Sequence, residues 1–215
     1  MIKRIFNAAF STILGRLEFL ILKVKWKKKN PHNFTGLARK FDIGKVTVGK
    51  CTYGSLHIQT FGNKNEKLVI GSYCSIADNV SFLLGGEHFY TGFSTYPFRK
   101  FIGDGNENTG SKGPVIVGDD VWIGYGCIIL SGVTIGQGVC IAAGSVVYKD
   151  IPPYAIYGNG KVLKYRFKPE VIEQLLKFKF DTLDMESIRA NMGILYEKFS
   201  LDMLCKKPFD EWKKN

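Results

Sequence analysis

The sequence predicts an all-β core built as a parallel β-helix, preceded by an amphipathic helix, interrupted by a long excursion loop and followed by a helical tail. Three observations carry that prediction. The first is a six-residue period over residues 117–152, VGDDVW IGYGCI ILSGVT IGQGVC IAAGSV VYKDIP. Its first position holds Val117, Ile123, Ile129, Ile135, Ile141 and Val147, all β-branched aliphatics. Its second is mostly small (Gly118, Gly124, Gly136, Ala142), and its fifth is mostly compact, from Val121 and Cys127 to Ser145. Six suits neither an amphipathic helix nor an alternating strand. It suits short strands joined by tight turns, each coil stacked on the last. The second observation is that the period returns in IGSYCS IADNVS FLLGGE, led by Ile70, Ile76 and Phe82. The third is a break in phase: Val117 follows Ile70 by 47 residues, which is not a multiple of six. The glycine-rich segment 85–113 must therefore loop out, and long excursions from a regular scaffold commonly carry function.

The elements follow in order. Residues 2–26 place Ile2, Ile5, Phe6, Ala9, Phe10, Ile13, Leu17, Leu20, Ile21 and Val24 at helical spacing. Charged residues interrupt the apolar run, so the segment is not a membrane span. Lys25 to Lys29 follow, with Trp26 among them. The helix either lies on an anionic membrane surface, Trp26 at the interface, or packs on the body or a neighbouring subunit. Asn30-Pro31 ends it, and His32 is expected in solvent. Residues 43–59 alternate like a strand and read as one irregular coil, with His57 a structural residue. After Pro152-Pro153 the coils are expected to end. Pro169 suits the first turn of a helix over 169–180, and Asp184 the N-cap of another over about 184–199. The divisions are thus 1–30, 31–160 and 161–215.

The net charge of +11 is concentrated at one end. Residues 1–40 hold ten Lys or Arg against Glu18 alone, leaving +2 for the remainder. A nearly neutral body argues against nucleic-acid binding and for electrostatic attachment through the N-terminal segment. The five cysteines have no metal-ligand spacing and suit a reducing cytoplasm, and no metal is expected. GDGNENTGSKG superficially suggests a phosphate loop, but its Lys does not follow the second Gly and no strand and helix flank it.

Within the excursion, LGGEHFYTGFSTYPF sets a histidine before an STYPF motif, and the next coil reads VGDDVWIG. Over about residues 68–180 this resembles the hexapeptide acyltransferases of the xenobiotic acetyltransferase type, which include type B chloramphenicol, streptogramin and polysaccharide sugar acetyltransferases. The resemblance implies a left-handed β-helix, a homotrimer and acetyl-CoA as donor. It assigns His88 as general base, a task for which imidazole is suited. The acceptor oxygen would attack the thioester directly, and backbone N–H groups would stabilise the oxyanion. Trp122 is implied beside the pantetheine arm, Gly124 and Tyr125 where a main-chain amide meets CoA, and Ala142 and Ala143 along its thin arm. Tyr148 and Lys149 stand at further cofactor positions. Asn159, Lys161, Lys164 and Arg166 are implied at the phosphate-rich end; the family commonly reads GNPAK there, and this chain reads Gly158-Asn159-Gly160-Lys161. Glu87, Tyr96 and Phe98 are expected at the acceptor site, between subunits.

The resulting expectation is a cytoplasmic O-acetyltransferase, at the inner face of the membrane if the N-terminal helix meets lipid. Its acceptor would be a sugar hydroxyl of a bacterial surface polysaccharide or its precursor. An antibiotic acceptor keeps the mechanism, and a non-catalytic trimeric scaffold is the reading from another class. The presence of His88 and Trp122 argues against the scaffold.

Overall fold

The computed structural model describes residues 2–105 and 109–212, with side chains from Thr12 onward. Ile2, Lys3, Arg4, Ile5, Phe6, Ala9 and Phe10 thus lie outside the described side chains, and residues 106–108 of the GDGNENTGSKG stretch lie outside the described residues. The chain opens with α1 (Ile2–Lys29) and β1 (Phe34–Leu37). Next come β2 (Val46–Val48), β3 (Tyr53–Gln59), β4 (Leu68–Ile70), β5 (Ser75–Ile76) and β6 (Ser81–Leu83). The excursion carries one short helix, α2 (Phe98–Phe101). Winding resumes with β7 (Val115–Val117), β8 (Trp122–Ile123), β9 (Ile128–Leu130), β10 (Thr134–Ile135), β11 (Cys140–Ile141) and β12 (Val146–Val147).

These strands stack into three parallel ladders. The first face runs β2, β4, β7, β10. The second runs β1, β3, β5, β8, β11, and the third runs from the end of β3 through β6 and β9 to β12. Val117 pairs with Ile135, Ile123 with Ile141 and Ile129 with Val147, so one coil is 18 residues and each face takes one six-residue block. Ile70 pairs with Val117 across 47 residues, so 29 are looped out, the number spanned by 85–113. All six β-branched residues at the first position are buried, as are Val121, Cys127, Val133, Val139, Ser145 and Ile151 at the fifth. Burial pushes the Cys74 thiol up to about 12 and the Cys127 thiol upward too, as befits cysteines serving as small core residues.

The two ends of the coil stack decide one alternative that the sequence left open and overturn one expectation. At the N-terminal end, Trp26 is not at an interface: it is 1% exposed, sits edge-on to Phe41 at 5.8 Å, and donates Nε1–H to Thr35 Oγ1 at 3.1 Å. Phe19 and Leu22 pack on the same core. The helix thus covers the first coil, whose core would otherwise face water. His32 is exposed, its Nε2 bonded to Val48 O at 2.9 Å.

At the other end, winding does not stop at Pro152-Pro153. Ile151 bridges Ile135, and β13 (Ala155–Gly158) pairs with β11 in parallel. The chain then reverses through Asn159 and Gly160, at φ 53° and 75°, into β14 (Lys161–Tyr165), antiparallel to β13. Asn-Gly is the pair best suited to two consecutive left-handed residues, which makes this hairpin readable in retrospect. The division expected at residue 160 falls inside its turn.

The tail is less helical than its pattern suggests. The helices are α3 (Pro169–Leu175), α4 (Met185–Ala190) and α5 (Phe209–Trp212), with one 3-10 segment between the first two and two between the last two. Pro169 does open α3, and Asp184 does cap α4, accepting from Ser187 N at 2.7 Å. The first helix stops short because Phe178 is drawn into a second core with Leu183, Met203, Leu204, Phe209 and Trp212. Edge-to-face rings chain Tyr154 to Phe167, Phe199, Phe209 and Trp212, tying this core to the last coil.

Candidate active site

The excursion leaves after the third face and returns to the first. Its two strands of entry and exit are clasped where Gly110 N donates to Glu87 O at 2.8 Å and Glu87 N to Gly110 O at 3.2 Å. The loop before β4 braces this root. Buried Glu66 accepts from Lys45 Nζ at 2.8 Å and from Phe61 N at 2.7 Å, and Asn63 Nδ2 reaches Thr109 O at 3.0 Å.

His88 is exposed on this frame, and its Nδ1 lies 2.8 Å from Thr95 O. A carbonyl oxygen only accepts, so Nδ1 carries the proton and the neutral ring keeps its lone pair on Nε2. The residue that orients His88 is therefore Thr95, through its main chain, and sequence alone gave no sign of it. Glu87, adjacent in sequence, is paired instead with Lys112 at 3.0 Å. His88, Pro97, Lys100, Phe101 and Thr109 line a concavity of about 270 Å³. Tyr96 meets Phe98 edge-on at 4.9 Å and Phe101 at a tilt at 5.9 Å, all three exposed beside it.

Of the residues expected at the cofactor, Gly124, Tyr125, Ala142 and Ala143 lie at the corner between the second and third faces, whereas Tyr148 and Lys149 follow β12 at the end of the third face. A Cβ on Gly124 would fall 2.6 Å from Ala143 N, and one on Gly158 3.3 Å from Ala142 Cβ, so small residues let three successive corners stack closely. The amides of Gly124 and Ala142 are held in the ladder by Ile141 O and Tyr157 O. Those of Tyr125 and Ala143 enter no hydrogen bond among the described residues. The side chains of Trp122 and Tyr125 are 57% and 58% exposed beside them. Asn79, unremarked in the sequence, fixes the Tyr125 hydroxyl at 2.7 Å. Tyr148 reaches Gly160 O at 3.5 Å and lies under Lys149 Nζ at 5.6 Å, while Asn159, Lys161 and Lys164 are exposed at the hairpin. Trp122 registers with Cys140, Cys140 with Ile156 and Ile156 with Lys164. At ~4.8 Å per strand, the backbone positions of Trp122 and Lys164 therefore lie about 14 Å apart along this row.

Arg166 does not join that group. Its guanidinium bonds Asp120 at 3.1 Å and Gly138 O at 2.7 Å, and stacks over Tyr154 and Phe167. Burial pushes the Asp120 carboxyl upward despite Arg166 beside it. Among the described residues, no cluster of three His, Cys, Asp or Glu could hold a metal ion. Within one chain, His88 belongs to the excursion that leaves after β6 on the third face, whereas Trp122 lies in β8 on the second face.

Comparison with known proteins bears on this arrangement. Residues 114–149 match the family described as bacterial transferase hexapeptide (six repeats). The chain is 41% identical over 151 residues to a probable macrolide acetyltransferase of Lysinibacillus sphaericus, covering 66% of this chain and 84% of that one. It is 35% identical over 188 residues to a chloramphenicol acetyltransferase of Agrobacterium fabrum, covering 78% and 90%. A crystal structure of a maltose O-acetyltransferase from Clostridium difficile is similar over 63% of this chain and 67% of that one, at 33% identity and a TM-score of 0.48. On the repeat and on relatives aligned over most of their length, the chain belongs to the hexapeptide-repeat acetyltransferases.

Proposed function

We propose that this chain transfers acetyl from acetyl-CoA to a hydroxyl of a bacterial surface-polysaccharide sugar or its lipid-linked precursor. It does so in the cytoplasm, as a homotrimer of left-handed β-helices. The observation that carries the chemistry is the 2.8 Å contact from His88 Nδ1 to Thr95 O, which leaves Nε2 as the base. Nε2 takes the acceptor proton as its oxygen attacks the thioester carbonyl. The tetrahedral oxyanion collapses with cleavage of the C–S bond, and the imidazolium returns the proton to the departing thiolate. Thr95 O keeps accepting from Nδ1–H throughout and so holds the ring in place. Unpaired amides at Tyr125 and Ala143, the exposed Trp122 indole and the small corner residues suit a pantetheine arm. Lys149, Lys161 and Lys164 suit the phosphates, and Arg166, held by Asp120, drops out of that set. A trimer suits this arrangement, because base and cofactor corner belong to different faces of one chain and a neighbour could supply the complementary half. The exposed rings of Tyr96, Phe98 and Phe101 offer apolar faces to the C–H side of a sugar.

A second reading, an antibiotic hydroxyl as acceptor, is favoured by relatives named as macrolide, chloramphenicol and virginiamycin A acetyltransferases. Free-thiol release from acetyl-CoA, measured with purified protein and His88→Ala, separates the two. The panel comprises nucleotide-linked sugars, lipid-linked glycans, a macrolide, chloramphenicol and a streptogramin. Turnover of the glycans alone, lost in His88→Ala, is expected. Turnover of only the antibiotics would establish the second reading, and turnover surviving in His88→Ala would remove His88 as base. A monomer in sedimentation at micromolar concentration would refute the shared site.

A further inference from the structure

Helix α1 carries two apolar faces, and the body uses one. Phe19, Leu22 and Trp26 pack toward the core, and Lys29 Nζ bonds the carbonyls of Ile43 at 2.6 Å and Val46 at 3.2 Å. At about 3.6 residues per turn, Ile13, Leu17, Leu20, Ile21 and Val24 fall on the opposite side. They are 64%, 52%, 58%, 47% and 63% exposed, a continuous apolar stripe pointing away from the protein. Exposed cations border it: Arg16, Lys23 and Lys27 along one edge, Lys25 along the other and Lys28 at its end. The one acid among residues 1–40, Glu18, lies outside the stripe and is paired with Lys40 at 2.7 Å. Among the described residues no helix is long and apolar enough to cross a membrane.

We propose that α1 is a membrane-surface anchor whose outward stripe inserts shallowly into an anionic lipid bilayer while its flanking cations meet the headgroup phosphates. Apolar residues bounded by Lys and Arg on both edges are the pattern of a helix lying in the plane of an interface. A second copy of the chain is the weaker occupant. Pairing two such stripes brings rows of like charge together, and the only acid nearby is already engaged. The face that meets lipid is set by the body: Trp26 and Lys29 fix the rotation of the helix, so the stripe cannot turn inward. The inference is independent of which acceptor is acetylated.

Flotation of the full chain with vesicles of phosphatidylcholine and phosphatidylglycerol, and with phosphatidylcholine alone, tests this. The chain is expected to float with the anionic vesicles only. Leu17→Glu/Leu20→Glu should stay at the bottom, and so should most of a variant with Lys23, Lys25, Lys27 and Lys28 changed to Gln. At about fivefold per cation near an anionic surface, the latter loses on the order of several hundredfold in partitioning. Apart from Lys23, which lies over the Phe19 ring at 4.5 Å, both variants alter only outward side chains, so melting temperatures close to the wild type should confirm that loss of flotation is not loss of fold. Flotation equal on neutral vesicles, or unchanged in either variant, overturns the proposal. So does a wild type that fails to float but whose sedimentation mass falls on Leu17→Glu/Leu20→Glu, because the stripe is then an interface between copies.

Discussion

Glu66 offers a measurable link between a buried charge and the placement of His88. Its side chain is 0% exposed, and its carboxylate accepts from Lys45 Nζ at 2.8 Å and Phe61 N at 2.7 Å. Phe61 in turn lies where a Cβ on Gly86 would be 2.6 Å away, two residues before His88. Glu66→Gln keeps an acceptor for the Phe61 amide and removes the charge facing Lys45. Deleting one partner of a fully buried pair costs about 3–5 kcal/mol. Lys45 is 22% exposed and also holds Asn63 O at 2.7 Å, so it stays partly satisfied. The expected loss is therefore lower, about 2 kcal/mol, or roughly 4–8 °C in melting temperature for a chain of this size. Burial pushes the Glu66 carboxyl up, but Lys45 and the Phe61 amide together outweigh it and hold the value below the ordinary 4.5. A carboxyl depressed by folding contributes stability that is present above its unfolded value and lost as pH falls through its folded one. Thermal melts of both proteins across pH should therefore show a gap that is full near neutrality and closes below about pH 4.5. Turnover should fall as well, because the root of the excursion loosens. A melting temperature unchanged near neutral pH, or a gap that widens in acid, would refute the reasoning.

Four further outcomes, one of them with a control, are expected. His88→Ala should lower kcat by about 10²- to 10⁴-fold with acetyl-CoA affinity retained, read from steady-state kinetics and CoA binding. Its control, His57→Ala on the outward side of the third face, should cost some stability and leave turnover per folded protein intact. Lys161→Ala/Lys164→Ala should raise KM for acetyl-CoA with acceptor KM nearly unchanged. Arg166→Ala should leave both constants alone and instead lower stability by about 1 kcal/mol, since Asp120 loses its partner in a part-exposed pair. Trp26→Phe removes the bond to buried Thr35 and should cost about 1–3 kcal/mol; an unaffected melt would mean that α1 does not cover the first coil as described.

The repeat was legible because it is a local code for a long-range contact. In a coil of three six-residue sides, every β-branched residue from Val117 to Val147 meets the same neighbours, so the sequence repeats the requirement and reveals it. The break in phase was legible for the same reason, as were the caps at Pro169 and Asp184, which act within one turn. The candidate base came from a motif, and its setting did not. Thr95 orients His88 through a carbonyl, which any residue type possesses. Arg166 reads as one more cation after the last coil, until the fold brings Asp120 to it from 46 positions away. Trp26 reads as interfacial among lysines, until the first coil supplies a dry surface for it to cover. Spacing along α1 declared an apolar stripe without saying which of two faces the body would take. By itself, then, the sequence determined the coil, its phase and the length of the excursion, because these depend on contacts that recur every 18 residues. Only the tertiary structure decided which charges are paired, which face of α1 stays outward and which carbonyl holds His88, because those contacts occur once and leave no period to read.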